Sequence, residues 1–308
     1  MNWKHARRLM QFGRRRENER ALGPLASVRF ATDPLAAVRA GSICVVSGKG
    51  GTGKSLVTAS LATLLARNGR TLIVDADLGV GNAHILQDVS PEHSFFDVVE
   101  ERMEVGDILC KCGENLDLLA GGSGYASMAG LTNYQMHLIA HGLEKLELQY
   151  KHLIVDCAAG ISPQTVSFAA AADIVMIVTT PDITAMTDAY AFFKVLLQRK
   201  PDCTPLLVVN RVLNQEEAQS VADRMTSVSR KFLGRAPRWV ATLPEDRAAF
   251  HSVQKRRPVV AARPGSELAT ALKDFSLTAT EELGRIHPKG LGRTLMRYVG
   301  HSPKPTHA

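Results

Sequence analysis

The chain has 308 residues, of which 45% are apolar and 22% charged, with a formal net charge of +7. This length accommodates one large α/β domain or two small ones, and the apolar fraction is sufficient for a sizeable core. No run of 18 uncharged apolar residues occurs, so no transmembrane helix is expected. The basic N-terminus lacks the apolar segment of a secretory signal, and the five cysteines form no CxxC pair, so a reduced, cytoplasmic protein is expected.

The positive charge is concentrated at the two ends of the chain. Residues 1–40 hold nine Lys and Arg against three Asp and Glu, and residues 285–308 hold five against none. The ends are therefore candidates for contact with an anionic partner, such as lipid, nucleic acid or an acidic protein face. The alternative is that the basic ends only keep the protein soluble.

From residue 42 onward, strand-like and helix-like segments alternate. Strands are predicted at 43–47, 71–75, 116–119, 152–156, 173–179, 205–210 and 238–242. Helices are predicted at 54–68, 94–102, 132–148, 162–170, 184–199, 215–232, 245–255 and 266–284. Continuous apolar runs such as 174–178 are typical of strands buried on both faces. The alternation predicts an α/β fold with a doubly wound, mainly parallel β-sheet flanked by helices.

Three regions follow from this reading: an N-terminal extension (1–41), the α/β domain (42–284) and a C-terminal tail (285–308). In the extension, Trp3, Ala6, Leu9 and Met10 recur at roughly helical spacing among arginines. This pattern indicates a short basic amphipathic helix or a disordered arm. The residues beyond Gly300, which include two prolines, are expected to be disordered.

The first predicted strand leads into a glycine-rich loop with the spacing GxxxxGKS. Its glycines allow the backbone to turn tightly and to direct N–H groups at phosphate oxygens, and the following helix adds its positive end. Lys54 can reach the β- and γ-phosphates, and the Ser55 hydroxyl can bind Mg²⁺. The loop residues are Gly48, Lys49, Gly50, Gly51, Thr52, Gly53, Lys54 and Ser55.

Two further predicted strands end in carboxylates. Asp75 and Asp77 follow the strand at 71–75, and Asp156 follows the strand at 152–156. Because ligands bind at the carboxyl edge of open α/β sheets, these carboxylates are expected beside the loop. Asp156 and Asp75 are predicted to support the Mg²⁺ shell with Ser55, and Asp77 to orient the attacking water. The alternative is that these acids are simple helix caps.

The loop Lys49-Gly-Gly-Thr-Gly-Lys-Ser55 resembles the deviant P-loop of the MinD/ParA (SIMIBI) ATPases. In that family the additional lysine contacts the phosphates of the ATP held by the partner subunit. The resemblance implies that Lys49 acts in trans within a homodimer that forms in the ATP state and separates after hydrolysis. It implies a slow, switch-type ATPase that uses ATP and Mg²⁺, with Lys49, Lys54 and Asp77 as catalytic residues.

Other segments extend the resemblance over about residues 42–284. Asp75-Ala-Asp77 matches the first switch of the family. Asp156-Cys-Ala-Ala-Gly160 resembles the second switch, although Cys157 and Ala158 replace the usual Thr followed by Pro or Gly, which leaves the hydrolysis rate open. Asn210-Arg211 matches the position that reads adenine, and Pro244-Glu245-Asp246 resembles the loop that closes over the base.

Within this family, the segment Thr180–Tyr190 resembles the flagellar number regulators of the FlhG/FleN (YlxH) branch. Asp33–Arg39 resembles, with Pro34 and Leu35 as departures, an arm that stimulates an FlhF-like GTPase. The branch implies regulation of flagellar number and placement, with flagellar basal-body or switch components as partners. Two other branches stay open: MinD-type placement of the division site, and ParA-type DNA partitioning through non-specific phosphate contacts. No sequence-specific nucleic acid is expected.

The C-terminal tail has an amphipathic pattern. Its apolar residues alternate with Lys289, Arg293 and Arg297, which resembles the short membrane-binding helix of the MinD family. The resemblance implies reversible association with an anionic membrane, so that the protein would cycle between the cytoplasm and the inner face of the cell membrane. The alternative is a final helix packed on the domain. The apolar residues are Leu291, Leu295, Met296, Tyr298 and Val299.

Overall fold

The computed structural model describes residues 39–122 and 124–300, and an eight-stranded sheet lies at its centre. The strands are β1 (Gly41–Val46), β2 (Thr71–Ala76), β3 (Leu109–Lys111), β4 (Leu116–Leu119), β5 (His152–Cys157), β6 (Ile174–Thr179), β7 (Leu206–Val212) and β8 (Arg238–Pro244). They lie in the order β3-β4-β2-β5-β1-β6-β7-β8. Every neighbouring pair is parallel except β3 and β4. The predicted doubly wound, mainly parallel sheet is confirmed.

Helices cover both faces of the sheet. They are α1 (Lys54–Leu65), α2 (Phe95–Val99), α3 (Asn133–Leu146), α4 (Pro163–Ala171), α5 (Ile183–Arg199), α6 (Gln215–Leu233), α7 (Arg247–Gln254), α8 (Val259–Ala262), α9 (Glu267–Arg285) and α10 (Leu291–Val299). Side chains of α2 to α6 and α10 form one hydrophobic core with the sheet. Side chains of α1 and α7 to α9 form the other.

The central strands explain why the apolar runs in the sequence are continuous. All six residues of β1 are buried, and successive side chains enter opposite cores. Cys44 and Val46 pack in the first core, whereas Ile43 and Val45 pack in the second. A strand covered on both faces therefore needs apolar residues at every position.

The seven predicted strands are present, and two short elements were not predicted. β3 has three residues, none of them fully buried, and pairs antiparallel at the sheet edge. α8 is a single turn of four residues. Such short segments carry too few residues for a hydrophobic period to be recognised.

The C-terminal helix α10 packs against α3 and α4. Leu291, Leu295 and Val299 are buried in the first core, and Met296 and Tyr298 pack against its rim. The apolar face of the amphipathic pattern therefore contacts protein in this conformation, which corresponds to the alternative of a packed final helix. In the part of the chain that is described, no helix combines the length and apolar character needed to cross a bilayer. The predictions for residues 1–38 and 301–308 lie outside the described residues.

The imidazole of His152, the first residue of β5, is buried and has no hydrogen-bond partner among the described residues. Its side chain is nearly inaccessible, and neither ring nitrogen is bonded within the described structure. Burial, together with the charge of Lys151, lowers the pKa of His152 from 6.5 to about 4. The neutral ring is thus compatible with the folded state, and the charged ring is not.

This buried imidazole makes stability depend on pH. Because the pKa of His152 is lower in the folded than in the unfolded chain, its contribution is complete above about pH 6.5 and is lost as pH falls towards 4. We expect the free energy of unfolding of the parent protein, measured by urea titration, to decline as pH falls from about 6.5 to about 4. The decline should be smaller in the variant His152→Leu. The matched control is the same substitution at the exposed His137, which should retain the parent pH dependence. Equal declines in His152→Leu and the parent would contradict the assignment.

Candidate functional site

The glycine-rich loop lies between β1 and α1, in the centre of the carboxyl edge of the sheet. Gly51 and Gly53 adopt φ values of 80° and 90°, which L-residues with side chains rarely occupy. Gly53 caps α1 and has a second constraint, since a Cβ there would lie 2.3 Å from Nδ2 of Asn210. Gly48 is equally restricted, because a Cβ would lie 2.1 Å from the backbone of Asp188 in α5. These glycines therefore permit a loop that is packed closely from both sides.

Lys54 and Ser55 open α1 and face the carboxylate of Asp156. The ammonium of Lys54 lies 3.6 Å from Oδ1 of Asp156 and 3.3 Å from the hydroxyl of Ser55. Thr58, one turn further along α1, donates to the same carboxylate oxygen at 3.4 Å. The predicted phosphate-binding lysine, the predicted Mg²⁺-binding hydroxyl and one predicted acid are thus brought together.

Asp75 lies beside Asp156 because β2 and β5 pair in parallel with these residues in register. Its two carboxylate oxygens each accept a backbone N–H at 3.2 Å, from Asp77 and from Ala83. Burial, and next the charge of Asp156, raise the pKa of Asp75 well above its ordinary value. Burial also raises the pKa of Asp156, with Lys54 opposing the shift. Two adjacent buried carboxylates next to one ammonium form a site that a cation would stabilise.

The donor set fits an Mg²⁺ ion that arrives on a nucleotide. Oxygen ligands are what Mg²⁺ prefers, and it usually takes one or two from the protein and the others from phosphates and water. Ser55 and Asp156 offer such oxygens, with Asp75 behind them. No group of three His, Cys, Asp or Glu that could hold a metal unaided occurs among the described residues. In the loop itself, the buried Oγ1 of Thr52 has no partner within the described structure, as expected where a ligand completes the hydrogen bonding.

Asp77 stands at the mouth of this site, where it is only partly buried. Its Oδ1 accepts the N–H of Val80 at 3.2 Å, which closes a short turn after β2. The position is compatible with the predicted contact to water, because the carboxylate lies outside the sheet and two residues beyond the buried Asp75.

Lys49 does not point into the site formed by its own chain. Its ammonium donates to Oδ2 of Asp182 at 2.9 Å and also to the hydroxyl of Thr184. The two side chains of the ion pair are 41% and 50% exposed. Hydrogen bonds from Lys49 and Thr184 lower the pKa of Asp182, which caps α5. Sequence reasoning did not identify Asp182 and Thr184 as partners, although both lie in the segment Thr180–Tyr190.

The residues predicted to bind the base gather at the neighbouring strand ends. Asn210, at the end of β7, is buried, and its Nδ2 donates to the carbonyl of Thr52 at 2.7 Å, so it is attached to the loop. Arg211 has a positive φ of 59°, and its guanidinium donates to Glu245 at 2.7 Å. Pro244 ends β8 directly before Glu245. These four residues lie on one side of the loop, as expected for a base-binding rim.

Cys157, which replaces the usual threonine of the second switch, belongs to the core. Its Sγ lies 3.2 Å from Sγ of Cys44, and both side chains are fully buried. The contact with Cys44, and next burial, raise the pKa of Cys157 well above its ordinary value, so the thiol stays protonated. The residue therefore packs beneath Asp156 and supplies no group to the open site.

Four exposed apolar side chains, which we call the apolar row, lie along the carboxyl edge and were not predicted. Each follows the carboxyl end of a strand. The strands are β2, β5, β6 and β7, so the apolar row lies on both sides of the loop. Its members and their exposed fractions are Val80 (65%), Ile161 (51%), Ile183 (71%) and Leu213 (81%).

Comparison with known proteins assigns the chain to a nucleotide-binding family. Residues 43–259 match the family described as the CobQ/CobB/MinD/ParA nucleotide binding domain. The antiactivator FleN of Pseudomonas aeruginosa is 35% identical over 233 residues, which cover 75% of this chain and 83% of that protein. The flagellum site-determining protein YlxH of Helicobacter pylori is 31% identical over 189 residues, or 61% of this chain and 64% of that protein.

Solved structures show the same fold. The septum site-determining protein MinD of Pyrococcus horikoshii, solved with Mg-ADP, superimposes with a TM-score of 0.67. It is 24% identical, and the match covers 81% of this chain and 99% of that one. The family match and the similarity to FleN, together with the loop and the paired carboxylates, establish that the chain belongs to the CobQ/CobB/MinD/ParA nucleotide-binding family and is a P-loop ATPase that uses ATP and Mg²⁺.

Proposed function

We propose that the chain is an ATP-dependent dimerising switch that regulates flagellar number and placement. The observation that supports an ATP-dependent dimer is the direction of the Lys49 side chain. This side chain is partly exposed at the carboxyl edge and is held on Asp182, away from the site of its own chain. A lysine in that position can contact a triphosphate bound by a second copy that faces it. The flagellar role rests on the similarity to FleN and YlxH.

The apolar row supports a face-to-face homodimer. Ile183 and Leu213 are more than two-thirds exposed, and apolar side chains exposed beside a polar site are typical of surfaces that bind another protein. Docking of a second copy would bury these side chains and bring each Lys49 towards the opposite loop. ATP then favours the dimer because it adds charge that only the dimer can neutralise from both sides.

The remaining side chains of the site would carry out hydrolysis. Lys54 and the loop N–H groups would bind the phosphates, and Ser55 and Asp156 would hold the Mg²⁺ shell. Mg²⁺ neutralises charge on the phosphate oxygens when it is bound. Asp77 orients the water that attacks the terminal phosphate. Loss of that phosphate removes the ligand of the partner's lysine, so the two copies separate.

Membrane association is the second part of the proposal. α10 has the composition of a membrane-binding helix, but its apolar face is buried against α3 and α4. Binding to the anionic inner face of the membrane therefore requires α10 to leave the domain. One such short helix binds lipid weakly, and two in a dimer bind more firmly, so the nucleotide state and membrane residence would be linked.

Stimulation of an FlhF-like GTPase by the N-terminal extension is the third part. Only Arg39 of the segment Asp33–Arg39 is described, and its guanidinium pairs with Glu147. A GTPase that uses this arginine must therefore compete with Glu147. Flagellar basal-body or switch components remain the proposed downstream partners.

Substitutions at Lys49 and Asp77 separate binding, dimerisation and hydrolysis. Lys49→Ala should bind ATP with affinity close to that of the parent but stay monomeric, because only the trans contact is lost. Asp77→Ala should bind ATP, accumulate as a dimer and release phosphate at least about tenfold more slowly. Lys54→Ala, the control, should lose ATP binding itself. Light scattering with chromatography and a phosphate-release assay measure these outcomes, and a normal ATP-dependent dimer of Lys49→Ala would exclude the switch.

The contact between Lys49 and Asp182 competes with dimerisation, because the ammonium cannot serve both partners. Asp182→Asn should therefore lower the ATP concentration needed for half-maximal dimerisation by roughly two- to fivefold, the range of an exposed ion pair. Asp202→Asn breaks another exposed ion pair, with Arg235, and should leave that concentration unchanged. An unchanged or higher requirement in Asp182→Asn would show that the contact does not hold Lys49 back.

The cellular role is tested by deleting the gene and counting flagella by electron microscopy. We expect more flagella per cell, because the FleN relative is described as an antiactivator. The parent gene should restore the number and Lys54→Ala, expressed at the same level, should not. Normal flagella with misplaced division septa would favour the MinD-type role instead, and normal flagella with loss of DNA copies would favour the ParA-type role.

A further inference from the structure

Glu147, the residue that caps the C-terminus of α3, contacts both ends of the described chain. Its side chain is fully buried. One carboxylate oxygen accepts from the guanidinium of Arg39, and the other accepts the N–H of Gly292, at the start of α10, at 3.1 Å. Its backbone carbonyl accepts the N–H of Ala40 at 3.0 Å. The entry to the domain and the C-terminal helix are thus held by one residue.

The start of α10 is fitted closely around this contact. A Cβ on Gly292 would lie 2.2 Å from the backbone nitrogen of Glu144 and 2.4 Å from the carbonyl oxygen of Ala140, both in α3. Gly290 adopts a φ of 87°, and a Cβ there would strike the Glu147 carboxylate. Only glycine at these positions lets α10 approach α3 closely enough for the N–H of Gly292 to reach Glu147.

The Glu147 carboxylate depends on Arg39 for its charge balance. Arg39 contributes the guanidinium bonded to it, and Glu144, 3.8 Å from the same guanidinium, adds a second negative charge nearby. Burial raises the pKa of Glu147, and the contacts from Gly292 and Arg39 oppose the shift. Removal of the cation from a buried ion pair leaves an uncompensated charge, which is strongly unfavourable unless water can reach it.

Displacement of α10 would open the Glu147 carboxylate to water, because the start of that helix packs against it. The nine-residue α10 has fewer buried residues than the fourteen-residue α3 that carries Glu147, so α10 is the element expected to move. We propose that Glu147 couples the segment entering the domain at Arg39 to the docking of α10, so that a partner that withdraws Arg39 also releases α10. The partner must present acidic groups, because it has to replace a carboxylate around the guanidinium.

This coupling deepens the proposed function, since it would let engagement of the N-terminal extension control the membrane-binding helix. The contacts themselves require neither nucleotide, dimer nor membrane. The coupling can therefore fail while the ATP switch stands, and it can hold in the isolated protein if the switch fails.

Amide hydrogen exchange of the full chain, read on peptides that cover 291–299, tests the coupling. Arg39→Gln should accelerate exchange there by about tenfold or more, because α10 is released. In Gly292→Ala, α10 cannot dock against α3, so this variant gives the exchange rate of a displaced helix. Arg235→Gln, which breaks the exposed pair with Asp202, should exchange like the parent.

A double-mutant cycle with Glu147→Gln tests whether the effect passes through this carboxylate. With a neutral side chain at 147, loss of Arg39 should change exchange in α10 by less than about twofold. The proposal is overturned if Arg39→Gln exchanges like the parent while Gly292→Ala is fast. It is equally overturned if Arg39→Gln accelerates exchange by the same factor with Glu and with Gln at position 147.

Discussion

The in-register pairing of β2 and β5 places two buried carboxylates, Asp75 and Asp156, side by side, and the site is organised around that constraint. Neither buried acid can spread its charge into solvent. Asp75 depends on two backbone N–H donors, and Asp156 depends on the ammonium of Lys54. Magnesium bound together with a triphosphate would place positive charge between the strand ends and the loop, next to these carboxylates. The ligand would therefore contact residues at several strand ends as well as the loop.

The same edge carries the features on which the proposed dimer rests. Exposed apolar side chains follow the strands on both sides of the loop, and Lys49 is held on Asp182. A second copy that covered the edge would bury these apolar side chains and bring each Lys49 towards the opposite loop, which is why we infer that nucleotide and dimer act together.

The two ends of the described chain meet at the C-terminus of α3. Glu147 receives Arg39, the backbone of Ala40 and the first turn of α10, so the ends of the described chain share one buried charge. The nucleotide edge and this carboxylate lie on different parts of the fold. Under the coupling that we propose, the protein would receive two separate inputs, one through ATP at the carboxyl edge and one through the N-terminal segment at Glu147.

The sequence by itself determined the α/β class, seven of the eight strands, and the residues of the loop and its acids, because those signals are local. The glycine spacing dictates the loop, and a carboxylate after a buried parallel strand must lie at the carboxyl edge. Only the tertiary structure determined which distant segments of the chain contact each other. Lys49 meets Asp182 across 133 residues, and α10 packs inward because two glycines let it approach α3. Contacts of that kind depend on which surfaces the folded sheet brings together. Neither the hydrophobic periodicity nor a motif within a single segment predicts them.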